Sequence, residues 1–80
     1  MNYIYSFEPG TKIKIETPGV TNLSEIKKDV KQFSDRIENH FVYPNGFEII
    51  MIQYADSITV GTNRPLTPDG NGGYIAPTNQ

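Results

Sequence analysis

Cysteine and tryptophan are absent from these 80 residues, histidine occurs once and leucine twice. Without cysteine there is no disulfide, no thiolate metal site and no thiol redox chemistry, which fits an intracellular setting. Long apolar runs are missing too. No segment approaches the roughly 18 apolar residues of a membrane span, and the start Met1-Asn2-Tyr3-Ile4-Tyr5 has no basic stretch leading into an apolar one. A soluble, cytoplasmic protein is expected, with no membrane partner. Positive charge is scarce: seven Lys and Arg stand against nine Asp and Glu, a net charge of −2. That balance removes the broad positive field from which most nucleic-acid affinity comes, so nucleic acid is not an expected partner.

What is present suits a small β-rich domain. Ile, Leu, Val and Phe make up 20 of the 80 residues, ten of them isoleucine, enough to fold and biased toward strands by branching at Cβ. Tyr3 to Glu8 alternates as a strand. Glu8-Pro9-Gly10-Thr11 has the proline and glycine of a type II turn, and Lys12-Ile13-Lys14-Ile15-Glu16 alternates again, predicting a first hairpin. Thr17-Pro18-Gly19 ends it. Asn22 and Glu25 have capping-box spacing, and Leu23, Ile26, Val30, Phe33, Ile37 and Phe41 follow at steps of three and four. This predicts an amphipathic helix over Leu23–Phe41, with Glu25, Lys28, Asp29, Gln32, Asp35, Arg36 and Asn39 facing water.

Tyr43-Pro44-Asn45-Gly46 reads as a second turn, releasing Phe47 to Tyr54, which is apolar on both faces and therefore central, with another layer or a partner over its second face. Ser57 to Val60 completes a second hairpin through Ala55-Asp56. From Thr62 onward, Pro65, Pro68, Pro77, Gly70, Gly72 and Gly73 argue against a regular element. The expected fold class is therefore α+β, ββαββ: a four-stranded, mainly antiparallel sheet with one amphipathic helix on one face. Residues 1–61 form the domain and 62–80 an irregular Pro/Gly-rich C-terminal tail, anchored only by Leu66, Tyr74 and Ile75.

No catalytic, cofactor-binding or metal-binding residue is expected. His40 lacks convergent ligands or a triad, and Ser6, Ser24, Ser34 and Ser57 lie in no nucleophile elbow. Asp69-Gly70-Asn71-Gly72 fails as a calcium loop, because Thr67 and Thr78 would occupy the positions that need carboxylates. Tyr3, Tyr5 and Phe7 are read as core rings, since the basic residues of a base-stacking sheet are balanced by Glu8 and Glu16. No phosphate loop is present.

The order hairpin, helix, hairpin over Met1 to Gly61 resembles the β-grasp fold of ubiquitin-like proteins. Such modifiers act through a C-terminal Gly-Gly joined to a target amine. The resemblance implies conjugation at Gly72-Gly73, after removal of the seven residues Tyr74 to Gln80. The first functional expectation is nonetheless a non-catalytic protein-binding module, acting through a sheet edge, an apolar sheet face and the tail by β-augmentation. Its contact residues would be Phe47, Ile50, Ile52, Tyr54, Leu66, Tyr74 and Ile75, and a homodimer would cover the same strand. A ubiquitin-like modifier precursor is the second reading. The third is a small phage or mobile-element protein that inhibits a host enzyme or defence factor.

Overall fold

A computed structural model describes residues 2–18 and 22–77. Among them run eight strands: β1 (Tyr3–Phe7), β2 (Ile15–Glu16), β3 (Lys27–Gln32), β4 (Arg36–Val42), β5 (Glu48–Tyr54), β6 (Ile58–Thr62), β7 (Thr67–Pro68) and β8 (Tyr74–Ile75). The only helical turn of the described residues is a 3-10 turn at Leu23–Glu25. Five strands make an antiparallel sheet in the order β1-β6-β5-β4-β3, and three short ones a small sheet in the order β2-β8-β7.

The register decides which face is buried. Tyr5 pairs with Val60, Val60 with Met51 and Met51 with Asn39. Side chains alternate along each strand, so Tyr5, Phe7, Ile58, Val60, Thr62, Ile49, Met51 and Phe41 share one face of the large sheet. The small sheet packs there. Phe47, Ile49, Ile58, Val60, Leu66 and Ala76 form the buried core, with Tyr5, Phe7, Ile13, Ile15, Phe41, Tyr43, Met51 and Tyr74 around it. Tyr74 of β8 lies 5.8 Å from the Tyr5 ring and 6.1 Å, edge-on, from Phe7, in the spacing that aromatic pairs favour. The Tyr5 hydroxyl accepts a hydrogen bond from the Leu66 amide at 3.0 Å, tying β1 to the chain after β6.

The α+β, β-grasp-like expectation is overturned. Where an amphipathic helix was expected, the chain forms β3, a turn at Ser34-Asp35, and β4. The physical reason lies in the spacing itself: most of the apolar steps are of four residues, and four is a multiple of the strand period as well as close to the helical one. Propensity favours the strand, because Val30, Phe33, Ile37, Phe41 and Val42 are β-branched or aromatic. The capping signal was real but short-lived. Asn22 Oδ1 accepts from the Ser24 amide and hydroxyl at 3.1 and 2.6 Å, and the Glu25 amide donates to Asn22 O at 3.1 Å, capping a single 3-10 turn.

Two further expectations change. The Glu8–Thr11 turn forms, with Gly10 at φ +80° and the Thr11 amide donating to Glu8 O at 3.2 Å. It does not close a hairpin: β1 pairs with β6, and β2 crosses to pair in parallel with β8. The hairpin over Phe47–Val60 does form, closed by the Tyr54 amide on Ser57 O at 2.8 Å. Nor is the segment after Gly61 an irregular tail. Thr62 completes β6, Leu66 and Ala76 enter the core, and β7 and β8 pair with each other. Polar clamps fix it: Arg64 Nη2 donates to Asn45 O at 3.1 Å, Asn45 Nδ2 to Pro77 O at 3.1 Å, and Asn63 Nδ2 to Gly46 O at 2.9 Å. Residues 78–80 lie outside the described residues.

Candidate protein-binding surface

The register that fills the core sends a second set of side chains to the opposite face of the large sheet. These are Ile4 and Ser6, Thr59 and Gly61, Glu48, Ile50, Ile52 and Tyr54, Arg36, Glu38, His40 and Val42, and Lys27, Asp29 and Lys31. No element of the described residues packs over them. The face divides in two. Toward β1 it is uncharged, mixing Ile4, Ile50 and Ile52 with Ser6 and Thr59: Ile4 is 65% exposed, and Gly61, which has no side chain, lies between it and Ile50 in the same row across the strands.

Toward β3 the face is charged. Arg36 donates from Nε to Glu38 at 2.7 Å and from Nη1 to Asp35 at 2.8 Å, and its guanidinium lies 4.1 Å from the Phe33 ring centre. The hydrogen bond that Arg36 donates to Glu38 is the main reason that the Arg36 pKa is raised, so this arginine stays charged. His40 Nε2 lies 3.1 Å from Glu48 Oε1. Asp29 and Lys31 form no ion pair within the described residues. With Glu38, His40 and Ile50 they line a hollow of about 50 Å³.

A second hollow, of about 180 Å³, lies on the core side and is lined by Ile13, Ile15, Phe41, Tyr43, Ile49 and Met51. Burial raises the pKa of the Tyr43 phenol, which therefore stays protonated. Both hollows fall below the roughly 300 Å³ at which small-molecule sites begin. Among the described residues no group of three or more His, Asp or Glu converges as metal ligands would, and no helix is long and apolar enough to cross a membrane. What the geometry offers is a broad open face and the two edges of the large sheet.

The edges differ in chemistry. β1, Tyr3-Ile4-Tyr5-Ser6-Phe7, carries no charge, whereas β3 carries Lys27, Lys28, Asp29 and Lys31. Lysine on an edge deters indiscriminate pairing. β1 has no such guard.

Of the residues expected to contact a partner, Ile50, Ile52 and Tyr54 come together on the open face. Phe47 and Leu66 do not; they are core. Tyr74 is turned toward Tyr5 and Phe7, and Ile75 is half-buried beside it in β8. Gly72 and Gly73 lie in the β7–β8 connection, where Asp69 Oδ1 accepts from the Gly73 amide at 3.0 Å and the Asp69 amide donates to Gly73 O at 3.0 Å. The Arg36, Glu38 and His40 array, with Glu48 beside it, was missed because reading Leu23–Phe41 as a helix hid the alternation of Arg36-Ile37-Glu38, and Ile4 because the rings flanking it read as core. No protein-family model, curated protein or solved structure matches this chain.

Proposed function

We propose that this chain is a non-catalytic protein-binding module that takes an extended segment of a partner protein along β1 and over the adjoining uncharged half of the open face. The observation that carries the reading is the exposed Ile4 on an uncharged edge strand, level with Gly61 and Ile50 on a face that no described element covers. A partner strand laid beside β1 would be held by main-chain hydrogen bonds. Its alternate side chains would meet Ile4 on one face and the Tyr3–Phe7 side on the other, which is how strand addition combines affinity with selectivity.

The test is comparative affinity capture. Wild-type chain, Ile4→Asp and Ile50→Asp serve as baits, each first shown folded by circular dichroism. A protein retained by wild type and lost with both variants, whose isolated binding segment then titrates with at least about tenfold weaker affinity for Ile4→Asp, supports the module, about 1.4 kcal/mol being the loss that tenfold represents. Retention unchanged by either substitution would place binding elsewhere and defeat the reading.

A further inference from the structure

The charged edge β3 has a property that its lysines conceal. The Phe33 amide donates to Arg36 O at 2.9 Å, so Phe33 and Arg36 form a hydrogen-bonded pair across the β3–β4 turn. Bonded and non-bonded pairs alternate along an antiparallel ladder. Lys31, Asp29 and Lys27, opposite Glu38, His40 and Val42, therefore turn their backbone groups into the sheet. Lys28, Val30 and Gln32 turn theirs outward, and no described strand meets them.

We infer that β3 is a self-pairing edge: two copies of the chain join antiparallel about a twofold axis through Val30, extending the five-stranded sheet of one copy into that of the other. A twofold axis perpendicular to the sheet pairs residues of like face, which restricts the registers. Centred on Val30, the outward amide and carbonyl of Val30 meet those of the partner's Val30, and Lys28 meets the partner's Gln32, both in the bonded geometry. Asp29 stands opposite the partner's Lys31, and Lys31 opposite the partner's Asp29. These are non-bonded pairs, in which the chains approach to about 4.5 Å between Cα atoms and side chains are closest. Lys27 falls opposite the partner's Phe33, a cation over a ring.

Every other centre within β3 fails on charge. Centring on Lys27, Lys28 or Lys31 sets a lysine against itself; centring on Asp29 sets aspartate against itself and Lys27 against Lys31; centring on Gln32 sets Asp29 against Asp35. The Val30 register alone opposes no like charges in any pair that includes a residue of β3; Glu25 and the partner's Asp35 fall level only in the turns beyond both ends of the strand. It also uses what the monomer leaves open. Val30 is 45% exposed and Ile37, diagonal to it on the neighbouring strand, 38% exposed, and the twofold brings both pairs together on one face. Asp29 and Lys31, which make no ion pair within the described residues, each gain one. This edge is at the opposite side of the sheet from β1, so self-pairing stands or falls independently of the partner-binding reading above.

The test is a charge-swap mixing experiment on the full chain by sedimentation equilibrium. A single-strand contact lies at the small end of protein interfaces, so wild type is expected to dimerise with a dissociation constant in the range of about 10 μM to 1 mM. Asp29→Lys and Lys31→Asp, each confirmed folded by circular dichroism, are expected to associate at least about tenfold more weakly, since each opposes like charges twice. Mixed in equal amounts they regain wild-type association, because one chain's two lysines then face the other's two aspartates. Amide exchange supplies a readout that overall stability does not move: raising the protein concentration slows exchange at Lys28, Val30 and Gln32, while Lys27, Asp29 and Lys31 stay protected throughout. A wild-type chain that remains monomeric at about 1 mM, single variants that associate like wild type, or a mixture no stronger than its components would each overturn the proposal.

Discussion

Gly72 and Gly73 are adjacent and need glycine for different reasons. Gly72 has φ +85°, a left-handed conformation that costs other residues about 1–2 kcal/mol, and a Cβ placed on it would meet nothing within 4 Å. A Cβ on Gly73 would lie 2.8 Å from Asp69 Oδ2 and 3.1 Å from Lys14 O. Gly72→Ala should therefore lower stability by about 1–2 kcal/mol through backbone strain alone. Gly73→Ala should displace Asp69 and loosen the β2–β8 pairing, where the Tyr74 amide donates to Lys14 O at 2.9 Å. Urea midpoints give the losses, and Asp69→Ala separates them: combined with Gly73→Ala it relieves the closer of the two contacts at position 73, leaving that with Lys14 O, and combined with Gly72→Ala it leaves the strain at position 72. A Gly72→Ala chain as stable as wild type would contradict the first account. Asp69 makes a second, pH-dependent contribution. Its Oδ1 accepts from the Asn71 amide at 2.7 Å and the Gly73 amide at 3.0 Å; these bonds, with Lys14 adding less, hold its pKa below the ordinary value. A carboxylate depressed in the folded state stabilises fully above its unfolded pKa, about 3.9, and loses that contribution as pH falls through the folded value. Asp69→Asn keeps an acceptor but not the charge. Its melting temperature should fall less steeply than that of wild type between about pH 4 and pH 2, as thermal melts across that range will show.

At the level of elements, what could be read from the residues was local and what could not was a matter of partners. The turns at Glu8–Thr11 and Tyr43–Gly46 form as their prolines and glycines require, the Gly46 amide donating to Tyr43 O at 3.0 Å. Phe47 to Tyr54 was legible as a central strand because both its faces are apolar, and β5 does lie in the middle of the large sheet. Arg36-Ile37-Glu38 was not legible as a strand, since Asn39 breaks the apolar alternation on the covered face, and the steps from Phe33 to Ile37 to Phe41 suit a helix equally. Nor was β3, whose six residues are all exposed: an edge strand with no buried face presents no period to find. β2, β7 and β8 are two residues each, too short to show a period, and the β2–β8 pairing joins distant segments, which no local pattern encodes. The same distinction applies to the binding surface. Ile50, Ile52 and Tyr54 stood out as the surplus apolar face of a central strand. Ile4 did not, because the rings flanking it read as core and its own exposure depends on β1 occupying an edge.

The molecule as a whole is closed by its last quarter. Hairpin β5–β6 provides Phe47, Ile49, Ile58 and Val60, but this half of the core is capped by Leu66, Tyr74 and Ala76 from after β6. Thr62, fully buried, donates from Oγ1 to Arg64 O at 2.6 Å at the point where the chain turns from one sheet to the other. A chain of this size buries only about 60% of its unfolded surface and has roughly 5–15 kcal/mol of stability in hand. Exposing large core side chains costs about 2–5 kcal/mol for each one deleted. Removing residues 66–80 deletes the large side chains of Leu66 and Tyr74 together with Ala76, uncovers Tyr5, Phe7 and Ile15, and leaves the Tyr5 hydroxyl without its donor at Leu66. Those losses together match the whole margin, so the truncated chain should lose cooperative thermal unfolding and show amide exchange close to unprotected across β1, β5 and β6. A chain ending at Gln80 in which only Leu66→Ala is made should remain folded with a lower melting temperature. If the truncated chain instead melted as sharply as the intact one, residues 66–77 would be an appendage, and the second layer described above would have no part in holding the sheet.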